Sequence, residues 1–226
     1  MRLQERSYST KMMRPKPLIH SEDDGSLIVI TTSWGQPEHA GVAQEEIVKY
    51  VNAAKSDVEV TSPFEFLSCL TDEVNYLRIS LLIANDILYR GENKSGYHAG
   101  VEALVLFQRD LQLAWAHVGF PSVLIKKRDR GVQPLSVGAD LSAELSSSRA
   151  DLAPLPAQMM GIDPTCNIHC GHTKLSEGDQ VILISSNKIS SALWLSESAI
   201  DFNTVTKSMI QDSPDSPFWL GLIQFE

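Results

Sequence analysis

The sequence predicts an α+β fold in which the sheet is antiparallel. Strand-like apolar segments follow one another at Gly100 to Gln108, Leu111 to Val118 and Ser122 to Lys126, with Arg109-Asp110 as a tight turn between the first two. Segments joined by such short turns form a meander. A helical pattern runs through Leu70, Val74, Leu77, Leu81 and Leu88 to a stop at Gly91, long enough to lie across a whole sheet. The chain has 226 residues, 43% hydrophobic and 21% charged, which suits a single domain over residues 1–226 with a good core. No internal repeat and no domain linker interrupts it.

Taken in order, residues 1–20 are basic and carry Pro15 and Pro17, which block a helix and leave a leading arm or an irregular edge strand. Asp23-Asp24-Gly25 is a turn signal, and Leu27-Ile28-Val29-Ile30-Thr31 after it reads as a buried strand. From Val42 to Ala54, the residues Ile47, Tyr50, Val51 and Ala54 fall at i, i+3, i+4 and i+7 and share one helix face. Ser62-Pro63-Phe64-Glu65 has the residues of a capping box with proline in the first helical position, so the long helix is expected to start at Pro63. Residues 138–157 read as a polar connection with room for a short helix. Beyond it, Gln180 to Ser185 reads as a strand, Ser191 to Ala199 and Asn203 to Gln211 as helices, and Trp219 to Phe225 as the closing strand.

Charge narrows the partners. Nineteen Lys+Arg against 28 Asp+Glu leave a net charge of −9, so neither nucleic acid nor an anionic membrane is expected to bind. The richest apolar run, Ile79 to Ala84, stops at Asn85 and Asp86, too short to span a bilayer. Met1 to Arg14 has no apolar core after its charges and no small-residue cleavage pattern, so it does not read as a secretory signal. Three cysteines, Cys69, Cys166 and Cys170, are an odd and sparse set for a disulfide scaffold. A reducing, cytoplasmic setting is expected.

Several segments carry a family likeness. Asp24-Gly25-Ser26-Leu27-Ile28-Val29-Ile30, then Gly35, then Ala40-Gly41-Val42-Ala43 are similar to the strand, glycine loop and helix of the type 2C metal-dependent (PPM) serine/threonine protein phosphatases. Gly96 to Leu106 followed by Leu113-Ala114-Trp115-Ala116-His117-Val118-Gly119 resembles that family's paired strands. Met160-Gly161 and Leu175 to Ser185 resemble its later glycine and Gly-Asp strand block. The likeness runs over nearly the whole chain in the right order. It implies a four-layer α-β-β-α sandwich with two antiparallel sheets, in keeping with the meander and the long helix.

The family's chemistry is not matched. Its members use aspartates to hold two divalent metals that activate a water against a phosphoserine or phosphothreonine. Where the family has Asp-Gly after the first buried strand, this chain has Thr32-Ser33, and Ser-Asp-Gly after the later strand becomes Ser185-Ser186-Asn187. Gly-Asp-Ser-Arg becomes Gly119-Phe120-Pro121-Ser122, and the Gly-Thr-Thr turn becomes His98-Ala99-Gly100. The early Asn-Glu-Asp has no counterpart upstream of Ile19, since Ser21-Glu22-Asp23 lies too close to the next strand. Asp215-Ser216 alone keeps a carboxylate, near the family's C-terminal Asp-Asn. Two divalent ions about 4 Å apart repel by about 17 kcal/mol at an effective dielectric of 20, so several carboxylates must offset them. Thr32 and Ser186 carry no charge, and neither metal nor catalytic residues are expected.

Other constellations weigh less. Cys166-Asn167-Ile168-His169-Cys170-Gly171-His172 gathers four soft ligands, but a strand would turn Cys166, Cys170 and His172 one way and His169 the other, and the spacing is not that of a zinc finger. Buried cysteines and strand-surface histidines are the default. His98 and His117 are acid/base candidates, with Asp140 or Asp151 as partners, yet no Ser-His-Asp or Cys-His spacing is recoverable. His117, inside an apolar run, reads as a strand residue with a satisfied ring. Lys126-Lys127-Arg128-Asp129-Arg130-Gly131 reads as the solvated turn of a hairpin, or else as a dock for an acidic or phosphorylated partner. Phe218-Trp219 reads as core rather than as an exposed docking pair.

The resulting expectation is a phosphatase-like domain without turnover, acting as a regulatory or scaffold module for a protein partner, phosphorylated or not. The pseudo-cleft implied by the resemblance would present Thr32, Ser33, Trp34, His98, Phe120 and Ser186. The alternative is a divergent phosphatase with relocated ligands, drawing on Glu38, Asp215, His98 or the Cys166 to His172 cluster, with Mn or Mg as cofactor. A third reading is a structural subunit, because fold and function are separable.

Overall fold

The computed structural model describes residues 1–56, 62–142, 152–186, 188–196 and 198–225. Its contacts divide the chain into two compact units. The first comprises Met1–Lys16, Phe120–Ala157 and Leu175–Glu226, the second Pro17–Gly119 and Gln158–Lys174. Each unit holds one five-stranded antiparallel sheet with helices on one face, an α+β architecture.

In the second unit, β2 (Leu18–Ser21), β3 (Leu27–Ser33), β4 (Val101–Arg109), β5 (Gln112–Val118) and β8 (His169–Lys174) lie in that spatial order. Alternate residues of β3, β4 and β5, among them Val29, Ala103, Val105 and Ala116, pack against α1 (Glu38–Lys55) and α2 (Asp72–Ile87) through Ile47, Val51, Leu77 and Leu81. The opposite face of the same strands carries Ile30, Thr32, Glu102, Leu104 and His117, all buried. The turn from β4 to β5 sits at Asp110, whose φ of 54° is one that Asp tolerates better than most residues.

In the first unit, β1 (Arg2–Tyr8), β10 (Phe218–Gln224), β9 (Gln180–Ser185), β6 (Ser122–Lys126) and β7 (Val132–Ser136) form the sheet in that order. Ile182, Ile184, Leu220 and Leu222 pack against Leu193 of the short α3 (Ser191–Trp194) and Val205 and Met209 of α4 (Phe202–Asp212). The N-terminal residues thus supply an edge strand in each sheet, β1 beside β10 and β2 beside β3.

Two expectations need correction, and one strand was not foreseen. The long helix does not start at Pro63: α2 begins at Asp72, with Thr71 as N-cap accepting from Val74 N. Ser62 does cap, its Oγ accepting from Phe64 N at 3.1 Å, but it caps a turn. Asn75 explains why the segment stays out of the helix: its Oδ1 accepts from Leu67 N and its Nδ2 donates to Leu67 O, each at 2.9 Å, so the loop backbone is satisfied by a side chain. Second, the helix after β9 shrinks to Ser191–Trp194. The unforeseen strand is Val132–Ser136, where an edge position permits Pro134. Asp151 and the centre of the 138–157 connection lie outside the described residues.

Candidate functional site

The positions that the resemblance marks as the degenerate site divide between the units. In the second unit, Thr32 and Ser33 end β3. Both are buried, at 2% and 8% exposure. Ser33 Oγ donates to Gln36 O at 2.6 Å and accepts from Gly35 N at 3.2 Å, so its hydroxyl is committed to holding the turn into α1. Trp34 N donates to Gly100 O at 2.8 Å, tying this turn to the loop before β4.

That loop is held by asparagines. Asn93 Oδ1 accepts from both His98 N and Ala99 N at 2.7 Å, while its Nδ2 donates to Ala99 O at 2.7 Å and to Gly161 O. Asn85 Oδ1 accepts from Gly161 N at 2.8 Å and its Nδ2 donates to Asp163 O at 3.1 Å. Gly161 has a φ of +88°, and a Cβ there would stand 2.9 Å from Leu88 Cβ. A Cβ on Gly35 would stand 2.1 Å from His98 O, so the turn after β3 touches the loop backbone directly. His98 itself is exposed, beside Tyr97, which is 78% exposed. The loop keeps its shape with no carboxylate in it.

One acidic residue was missed. Glu102 on β4 is 1% exposed and lies directly across from Thr32 in the β3–β4 register. The signal was a carboxylate flanked by apolar residues inside a strand, Val101-Glu102-Ala103.

One register row away, His117 is fully buried and its Nδ1 donates to Gly119 O at 2.9 Å. Burial pulls its pKa down to about 4, against the hydrogen bond to Gly119, and the neighbouring His169 lowers it further. The two rings stack with centroids 5.2 Å apart. His117 is therefore a neutral strand residue, as its surroundings in the sequence suggest. The Cys166 to His172 segment is not gathered into a site. His169 turns to His117, whereas Cys166, Ile168 and Cys170 pack on the helix-side core. Burial pushes the Cys166 thiol up to about 11 and raises Cys170 too, which disfavours the thiolate form that a metal would need.

In the first unit, Phe120 is 1% exposed and Ser122 Oγ accepts from Gly138 N at 2.9 Å. Ser186 Oγ donates to Lys188 O at 2.7 Å and accepts from Lys188 N at 3.1 Å, and Asn187 lies outside the described residues. Asp215 is exposed, and its backbone carbonyl accepts from Thr10 Oγ1 at 3.0 Å. Asp140 Oδ1 accepts from Ser142 N and Leu155 N, a loop-holding role. The basic hairpin is not a simple solvated turn: Lys126 is buried with its Nζ donating to Arg130 O, and Lys127 Nζ donates to Asp179 Oδ2 at 2.7 Å. Asp179, 1% exposed, also accepts from Ser176 N and Arg128 N. The aspartate of the Gly178-Asp179 pair thus braces a hairpin.

These donors do not fit two divalent ions. Among the described residues, no three His, Cys, Asp or Glu side chains gather as a metal site would need. Hydroxyls at 32, 33 and 186 supply no charge, and Ser33 and Ser186 already bond to backbone. Also among the described residues, no helix is long and apolar enough to cross a membrane.

No family model and no curated protein matches this sequence. Solved structures do. The chain is similar to PppA, described as a key regulatory component of T6SS in Pseudomonas aeruginosa, with 14% identity over 99% of this chain and 96% of that one, at a TM-score of 0.65. It is similar to the Mycobacterium tuberculosis serine/threonine phosphatase PstP/Ppp, at 12% identity over 100% and 98% of the two chains and a TM-score of 0.66. The PPM Ser-Thr phosphatase MsPP from Mycobacterium smegmatis matches at 9% identity, 100% and 99% coverage and a TM-score of 0.65.

Proposed function

We propose that the chain, which has the fold of the PPM serine/threonine phosphatases, is a module that binds a protein partner in a regulatory or scaffold role and turns over no phosphoester. The observation that carries this reading is the state of the β3 end. Thr32 and Ser33 stand where the resemblance places a metal-binding aspartate, and Ser33 Oγ is spent on the turn to Gln36. The similarity to a regulatory component in Pseudomonas aeruginosa supports the role, while the similarity to phosphatases supports only the scaffold.

The test is an assay of the full chain with millimolar Mn²⁺ or Mg²⁺ on p-nitrophenyl phosphate and phosphothreonine peptides. No turnover is expected. Hydrolysis that disappears in Asp215→Asn or Glu102→Gln would refute the reading. Glu102 is the one observation in favour of a divergent phosphatase with relocated ligands, since it is a buried acid across from Thr32. Stoichiometric metal by elemental analysis of protein purified without added ions would favour that second reading.

A further inference from the structure

The chain's negative charge is not shared between its units. The second unit contains seven Lys+Arg and sixteen Asp+Glu, a net −9, and the first contains twelve of each, a net zero. Within the second unit an open groove of about 660 Å³ lies where the β2–β3 turn, the end of α1, the start of α2 and the β4–β5 turn converge. It lies away from Thr32, Ser33 and His98.

Its walls combine rings and unpaired acids. Phe107 and Tyr76 supply the aromatic surface. Two cations in the lining are already matched: Lys55 Nζ lies 2.7 Å from Glu22 Oε2 and Arg109 Nη1 lies 3.3 Å from Glu73 Oε1. Asp24, Asp72 and Asp110 are exposed and form no ion pair among the described residues. The hydrogen bond from Ser26 N holds Asp24 below the usual carboxylate range, and Asp72 stands in the first turn of α2, where the helix dipole favours a negative charge. The groove also shows how it treats a cation: the Lys55 ammonium lies 5.3 Å from the centre of the Phe107 ring.

We propose that this groove docks a lysine- or arginine-rich segment of a protein partner, one cationic side chain lying over the aromatic wall within reach of Asp24, Asp72 and Asp110. Charge complementarity selects the occupant. An acidic or neutral segment would bring nothing to offset three carboxylates, while a basic one is drawn to a half-molecule of net −9 and placed by the rings.

The experiment is fluorescence anisotropy of the full chain with a labelled peptide of alternating Lys, Arg and Ser, against a matched peptide of Glu and Ser. The basic peptide binds, and Asp72→Asn/Asp110→Asn weakens it by about tenfold. Glu45→Gln/Glu65→Gln removes the same charge from the same unit outside the groove and changes the affinity less than about twofold. Equal weakening by the two pairs would overturn the proposal, since it would reduce the effect to bulk attraction. Binding of the acidic peptide, or binding of Ca²⁺ alone with no basic-peptide binding, would overturn it as well. Phosphatase turnover is a separate readout, so the outcome does not depend on the fate of the proposed function.

Discussion

The two units solve the same problem by different chemistry. Each must hold a loop or hairpin that runs out from its sheet, and each does so with polar side chains. In the second unit neutral amides do the work: Asn85 and Asn93 bridge the loop before β4 to the segment at Gly161. In the first unit a charge does it, Asp179, which takes two backbone N–H groups and the Lys127 ammonium. The contrast shows two ways of securing a loop, by neutral amides and by a charged pair, both drawn from this chain's own side chains.

The two braces should differ in cost when removed. Asp179→Ala strands a partly buried ammonium and two backbone donors, and is expected to destabilise the chain by about 4 kcal/mol in urea unfolding. A loss under about 1 kcal/mol would mean that the ion pair is not structural.

The next effect sharpens the picture of the second unit, where the buried His117 must stay neutral. The folded pKa of His117 lies near 4, below the ordinary value of 6.5, so the folded state binds its proton less readily than the unfolded state. Stability is full above about pH 6.5 and falls as pH drops toward 4, by about 3 kcal/mol. His117→Gln should flatten that part of the pH–stability curve, and an unchanged slope would show that the histidine is not the group responsible.

The smallest effect is expected from the neutral brace. Asn93→Ala removes four hydrogen bonds, but Asn93 is only half-buried and water can replace some of them. A loss of about 2 kcal/mol follows. If it equals or exceeds the loss from Asp179→Ala, the contrast between charged and neutral bracing is broken.

Much of the fold was legible because it rests on local patterns. The strand Gln180–Ser185 coincides with the apolar run in the sequence, and β3, β4, β5 and β10 lie within a residue or two of theirs. The start of α2 was not legible. Ser62-Pro63 is a sound local cap, and the competing partner for the loop backbone is Asn75, eight positions beyond Leu67. Pro134 hid β7, because only its place at a sheet edge makes proline acceptable there.

The site was named in the sequence by the substitutions at 32, 33, 120 and 186, through the resemblance alone. Its positive content was out of reach: the bonds from Asn85 and Asn93 to Gly161 span 76 and 68 positions, and no local rule pairs them. Glu102 was visible as an acid in an apolar strand, but its place across from Thr32 depends on register. The charge imbalance was likewise invisible until the chain was divided into its units.

The contact between Gly35 and the His98 carbonyl leaves no room for any side chain at position 35, and Asn93 fastens the far side of the same loop. Tyr97, 78% exposed, projects to solvent from the residue next to this doubly fastened backbone. A ligand that grips this ring meets backbone already in its final conformation, and association there forfeits little chain entropy.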